Sequence, residues 1–253
     1  MAEPLLRVEN ASKRYPGGIE ALRKANLIMQ RGEFVCLIGA SGCGKSTLLR
    51  MIAGFETATE GEVIVRGKQV AGPGPDRGMV FQDYGLFPWL TVRGNIAFGP
   101  AARGKPKAEV MRTADRFVTM MGLERFADAY PHQLSGGMKQ RVAIGRVLAN
   151  DAHLALMDEP FGALDAMTRE RLQEELLAIW RATELSVMFV THSLEEAIYL
   201  ADRVVVMSPG PGRIVAEERI TLERPRDVSS PEFNDIRRRL GIMLHADHLR
   251  EAA

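Results

Sequence analysis

The run GASGCGKST, residues 39–47, sets Gly39, Gly42 and Gly44 against one lysine, Lys45, and two hydroxyls, Ser46 and Thr47. It follows the apolar stretch EFVCLIGA and leads into LLRMIAGF, so a strand feeds a glycine-rich turn that opens a helix. The glycines free the backbone, together with Ser41 and Cys43, to wrap a pyrophosphate. Lys45 neutralises charge on the β- and γ-phosphates, and the Ser46 hydroxyl can ligate Mg²⁺. This spacing predicts a nucleoside triphosphate site.

LALMDEP, residues 154–160, is an apolar strand ending in two adjacent carboxylates. Strand ends of this kind lie at the sheet edge where α/β folds bind ligands. Asp158 is expected to hold Mg²⁺ through water, and Glu159 to orient or deprotonate the attacking water. Gln82, in MVFQDY, and His192, in FVTHS, likewise end apolar strands. Gln82 would reach the metal ion. His192 has two readings: contact with the γ-phosphate and the attacking water, or satisfaction of a strand-end backbone group.

A second glycine turn lies in HQLSGGMKQRVAIGR, residues 132–146. Ser135 is placed as an N-cap, and Gly136 and Gly137 open a helix carrying Met138, Val142 and Leu148 at helical spacing. Helix starts attract anions, but no Lys-Ser pair follows, so this turn cannot build its own Mg²⁺–triphosphate site. It is either a plain helix cap or a grip on the γ-phosphate of a nucleotide held by another copy of the chain. In the second case two copies face head to tail and share two nucleotides.

These residues need a frame of strands and helices. LLRVEN and ANLIMQ read as strands of an N-terminal, largely antiparallel section, and GEVIVRG and GMVFQ as further strands. EFVCLIGA, LALMD, SVMFV and RVVVM have the continuous apolar texture of parallel strands buried on both faces. Between residues 88 and 150 the texture turns helical: Val110, Ala114, Phe117 and Met121 share one face, and Pro106 suits the first helical turn. Asp165 caps the next helix, and Ser193 with Glu196 matches a capping box. The expected fold is α/β, a P-loop NTPase core with a mostly parallel sheet. Residues 1–87 and 151–215 form that core with its antiparallel section, 88–150 a helical subdomain, and 216–253 a charged peripheral extension ending in a helix.

The 253 residues carry 33 Lys and Arg against 32 Asp and Glu, a formal net charge of +1, so no overall charge draws the chain to nucleic acid. No apolar run reaches the roughly 18–20 residues that span a bilayer, and MAEPLLRVEN lacks the apolar core of a leader. Cys36 and Cys43 are too few for a disulfide framework and fit a reducing cytosol. Cys43, inside the phosphate loop, makes thiol reagents expected inhibitors.

Phosphate loop, Gln82, LSGGMKQR, LMDEP, FGALD and VTHS, in this order, resemble the ATP-binding subunit of an ABC transporter over residues 5–215. The resemblance implies an ATP-hydrolysing homodimer, with Tyr15, in SKRYPGG, stacked on adenine. Taken alone, Tyr15 is a turn residue. It further implies that Asp165 links the two sites across the dimer, a role compatible with its helix cap. Met138 stands where glutamine is usual and Gly162 where serine is frequent; both variants resemble the nitrate, sulfonate and taurine importer group.

DYGLFPWLTVRGNI, residues 83–96, strings Leu86, Phe87, Pro88, Trp89 and Leu90 together in a segment that Pro88 keeps from being a strand. Such a segment either covers a satellite core or docks on another chain. Similar LFPWLTV segments in the importer group favour docking on integral membrane permease subunits, with an extracytoplasmic solute-binding protein acting indirectly. The resemblance therefore places the chain peripherally at the cytoplasmic side of the inner membrane. The rival reading is a cytosolic assembly or scaffold ATPase built on the same cassette but without a permease.

Overall fold

The computed structural model describes residues 3–81, 83–162, 164–183 and 185–251, and side chains as far as residue 244. Along the chain, β1 (Leu6–Arg14) and β2 (Glu20–Met29) precede β3 (Phe34–Gly39) and α1 (Lys45–Ala53). β4 (Glu60–Val65), the two-residue β5 (Lys68–Gln69) and β6 (Arg77–Val80) follow. Then come three helices, α2 (Val92–Ala102), α3 (Lys107–Met120) and α4 (Gly136–Ala149). The alternation resumes with β7 (Leu154–Asp158), α5 (Ala166–Ala182), β8 (Ser186–Val190), α6 (Leu194–Leu200) and β9 (Arg203–Met207). β10 (Ile214–Arg219) and α7 (Pro231–Glu251) close the chain.

The chain divides into two compact units, one of residues 1–73 with 186–253 and one of residues 74–185. In the first, β2, β1, β4 and β5 make an antiparallel sheet, and β3 lies parallel between β8 and β9. Every residue of β3 and β8 is buried, as expected of strands covered on both faces. Phe34 and Phe189 meet in this core with ring centroids 6.1 Å apart. β10 pairs antiparallel with β9, an element missing from the strands expected above; its first residues precede the 215/216 boundary and its last lie beyond it.

In the second unit β6 and β7 pair in parallel, and α4 runs close beneath β6. An added methyl on Gly78 would stand 2.5 Å from a Val147 methyl. Val110, Ala114, Phe117 and Met121 are all buried, the face that the helical spacing marks out. Pro106 stands one residue before its expected place. With ψ near 137° it is extended, so it caps α3 from outside instead of sitting in the first turn. Among the described residues no helix is long and apolar enough to cross a membrane, and Cys36 and Cys43 are free and buried.

Candidate functional site

The first unit holds the phosphate loop. Gly42 and Gly44 have φ of +77° and +91°, the left-handed region that glycine enters without a Cβ penalty. At Gly44 a Cβ would also stand 2.5 Å from the Ala21 carbonyl oxygen, and at Gly39 it would meet Cys43 Sγ at 2.7 Å. Gly44 caps α1, so the loop ends in a helix start, where backbone N–H groups face outward along the axis. Together with the dipole they form a ready anion cradle. Lys45 is buried, and its Nζ donates to the carbonyls of Gly39 (2.8 Å) and Ala40 (2.9 Å), which hold the ammonium across the loop. Ser41 and Gly42 are exposed at the loop crest. Cys43 is buried with Sγ 3.8 Å from Lys45 Nζ, so a thiol reagent reaches it only if the loop opens.

Two other expected residues belong to the same unit. Arg14 pairs with Glu20, so Tyr15 begins the hairpin turn between β1 and β2, and its N–H donates to Ile19 O at 2.8 Å. The next residue of β2, Ala21, is the one that touches Gly44, which sets the Tyr15 hairpin beside the phosphate loop. Lys13 Nζ lies 5.2 Å from the Tyr15 ring centroid, a cation–π contact. His192 is exposed two residues past β8. Because Leu37 pairs with Val190, His192 leaves the sheet level with Gly39, where the phosphate loop begins. At the capping box expected for Ser193, its Oγ accepts from Glu196 N (3.2 Å), and the Ser193 N–H donates to Thr191 Oγ1 (3.0 Å).

The second unit carries the other half of the expected set. Val80 pairs with Met157, so Asp158 and Glu159 emerge at the C-terminal end of β7, half-buried. Glu159 has φ of +46°, an uncommon conformation for a residue with a Cβ that turns its side chain away from the strand direction. Gln82 lies outside the described residues. Ser46 in the first unit and Asp158 in the second each offer the hard oxygen that Mg²⁺ prefers.

Ser135 is exposed and caps α4, its Oγ accepting from Met138 N at 3.3 Å. Gly136 and Gly137 lie in helical conformation inside α4, packed so that a Cβ would stand 3.3 Å from Tyr84 Oη and Leu164, or 3.4 Å from Leu172. Burial pushes the Tyr84 phenol up from its ordinary value. Asp165 caps α5 through Thr168 N (3.0 Å), and that N–H holds its carboxyl below the usual range. Asp165 is exposed, and Met167 two residues on is 82% exposed.

The Leu86–Leu90 segment is held at its base and open at its tip. Arg146, on α4, donates to the carbonyls of Gly85 (2.6 Å) and Tyr84 (3.3 Å) and lies 5.5 Å from the Phe87 ring centroid. Burial lowers its pKa from the ordinary arginine value. Asn95, fully buried on α2, accepts from Phe87 N (2.9 Å) and donates to Phe87, Leu90 and Thr91 carbonyls. Phe87 and Phe98 pack at 4.4 Å between centroids, and Trp89 projects with 69% of its surface exposed. The sequence reading left out Arg146 and Asn95, whose bonds run to backbone carbonyls that no motif marks.

The family model for ABC transporters matches residues 22–162. A nitrate import ATP-binding protein of Synechocystis is 51% identical over 216 residues, 85% of this chain and 80% of its own. A taurine import ATP-binding protein of Roseobacter denitrificans is 47% identical over 219 residues, 85% and 82% of the two chains. Among solved structures, the dimeric post-hydrolysis state of an ATP-binding cassette bound to ADP and Pi superposes with a TM-score of 0.74. It is 34% identical and covers 86% of this chain and 100% of its own. With a phosphate loop at the end of β3 and the family's motifs in order along both units, this chain belongs to the ABC transporter family and is a P-loop ATPase.

Proposed function

We propose that the chain is the ATP-hydrolysing subunit of an importer, working as a homodimer that closes head to tail around two ATP molecules. The observation that carries this reading is the contrast at α4: Ser135 is exposed at a helix start, as Asp165 is at the start of α5, and no lysine follows to hold a triphosphate of its own. In each site Gly39, Ser41, Gly42, Cys43, Gly44 and Thr47 present the loop backbone to the phosphates, and Lys45 exchanges its two carbonyls for phosphate oxygens. Tyr15 stacks on adenine. Ser135, Gly136 and Gly137 of the other copy grip the γ-phosphate, and Asp165 ties one site to the other.

Ser46 and Asp158, with Gln82, hold Mg²⁺, which supplies charge neutralisation on the phosphates. Glu159 orients the attacking water for in-line displacement, and His192 supports that water and the γ-phosphate. Residues 88–150 act as the helical subdomain that delivers Ser135, residues 1–87 with 151–215 as the nucleotide-binding core, and 216–253 as an extension. Leu86–Leu90, with Trp89 at the tip, dock on permease subunits at the cytoplasmic side of the inner membrane. The permeases work with an extracytoplasmic solute-binding protein, and no nucleic acid takes part. Relatives named for nitrate and taurine import point to a small, polar solute that never touches this chain.

Sedimentation of Glu159→Gln with and without ATP and Mg²⁺ tests the reading. A monomer that becomes a dimer only with nucleotide, and fails to do so once Ser135→Arg is added, is the expected result. A variant that binds ATP and dimerises equally well with Ser135→Arg overturns the shared site. Crosslinking from Trp89 to a membrane protein is expected in cell membranes; its absence favours the permease-free scaffold ATPase.

A further inference from the structure

α6 is only seven residues long, about 10 Å, and it begins immediately after His192 and its cap, Ser193. The last carbonyls of any helix lack intrahelical partners. Here two arginines from a segment more than twenty residues downstream take them. Arg226 Nη1 donates to the carbonyls of Ile198, Tyr199 (3.2 Å) and Ala201 (2.6 Å), and Arg224 Nη2 donates to Leu200 O (2.5 Å). Arg226 also donates through Nε to Leu222 O at 3.0 Å. It is 6% exposed, and among the described residues all its hydrogen bonds go to carbonyls and none to a carboxylate. Burial brings it to about 10, which keeps it charged at neutral pH, and a cation at a helix C-terminus is favoured by the dipole.

The contacts close a ring around His192. Arg224 Nη1 donates to Asp202 Oδ1 (2.8 Å), and Asp202 Oδ2 accepts from Phe34 N (2.9 Å), the first residue of the strand that carries the phosphate loop. At the other end of that strand Leu37 O accepts from Thr191 N (3.2 Å), and Thr191 Oγ1 accepts from Ser193 N (3.0 Å). His192 therefore stands between a residue bonded to β3 and the cap of a short rigid helix whose far end the arginines fix to the start of β3. α7 backs the same helix, with Phe233 and Leu240 fully buried.

We propose that the Arg224–Pro225–Arg226 segment is a positioning clamp for His192, setting the height of α6 and so the place of the histidine relative to the phosphate loop. This rests on the reading of His192 as a residue that supports hydrolysis. The clamp touches neither nucleotide nor water; it acts through α6 alone.

The test is a double-mutant cycle on the full-length ATPase, with Arg226→Met and Arg224→Met each made in the native and the His192→Ala backgrounds. In the native background, Arg226→Met is expected to lower kcat about tenfold with KM for ATP nearly unchanged, since small misplacements cost catalysis more than binding. With His192 already removed, the same substitution is expected to cost less than about twofold, the non-additivity of residues acting as one unit. Arg226→Lys restores part of the loss, and Arg239→Ala, which loosens α7 at its exposed face, leaves kcat as it was. Should Arg226→Met fail to fold, Arg224→Met, which removes the Leu200 carbonyl bond and the Asp202 pair, carries the cycle with a smaller effect. Equal losses in both backgrounds, a loss matched by Arg239→Ala, or a rise in KM without loss of kcat overturns the clamp. Full activity of His192→Ala by itself would instead remove the role of His192, and the clamp's with it.

Discussion

The two glycine-rich helix starts differ in what their glycines are for. In the phosphate loop Gly42 and Gly44 occupy φ of +77° and +91°, so glycine is needed for the backbone path itself. At α4 both Gly136 and Gly137 are helical, and a Cβ there would meet only side-chain ends of Tyr84, Leu164 or Leu172 at 3.3–3.4 Å, so the backbone path itself does not require glycine. The first turn is a container folded around a buried lysine. The second is a flush surface with an exposed serine at its rim. One sequence pattern, glycines at a helix start, thus serves the backbone path in one place and a flush helix face in the other.

Substitutions separate the two roles. Lys45→Ala strikes the container at its charge and is expected to lower ATPase kcat by about 10²–10³-fold, the scale of losing a preorganised charge-stabilising donor; steady-state hydrolysis measures it. Gly44→Ala places a side chain in the left-handed region 2.5 Å from Ala21 O, and is expected to destabilise the fold by about 1–3 kcal/mol, read from denaturant midpoints. Gly137→Ala has the opposite stability signature. Helix propensity favours alanine by up to about 1 kcal/mol, so folding is unchanged or slightly improved while the ATP-dependent dimer weakens. A Gly137→Ala chain as unstable as Gly44→Ala would erase the distinction.

The smallest expected effect concerns Asp165, whose carboxyl is held below the usual range by Thr168 N–H. A depressed folded value means that the cap's contribution is present above the unfolded value of about 3.9 and fades as pH falls through the folded one. A carbon-detected NMR titration of Asp165 should therefore find a midpoint below that reference, and Thr168→Pro, which removes the N–H, should bring it back.

The phosphate loop, the buried strands and the apolar face of α3 were legible because each is written in consecutive or periodic residues. β10 was not read, although its burial alternates from Ile214 to Arg219; all six of its side chains lie at least partly open, and its charges resemble a solvated tail. Arg226 was invisible for a different reason. Its partners at the end of α6 are carbonyls 25 to 28 residues upstream, and a carbonyl carries no residue signature. The same applies to Arg146, which reaches back 61 residues to Gly85 O. Glu159 was legible as a carboxylate at a strand end, but its left-handed backbone follows from the turn that Pro160 and Phe161 complete, not from its own type. Pairing of motifs between the two units rests on the family's order of motifs rather than on any local pattern.

Arg146 and Asn95 bear on how force would pass through the second unit. Between them they fasten the carbonyls of residues 84, 85, 87, 90 and 91 to α4 and α2, leaving only the tip of the segment outward. A segment pinned so often cannot bend locally under load at Trp89. It would serve as a strut, and a push on the indole would be delivered to the body of α4, where Arg146 lies eleven residues from the Ser135 that caps it. Stiffness here would substitute for moving parts, because side chains of α4 and α2 already hold the backbone on both sides of the tip.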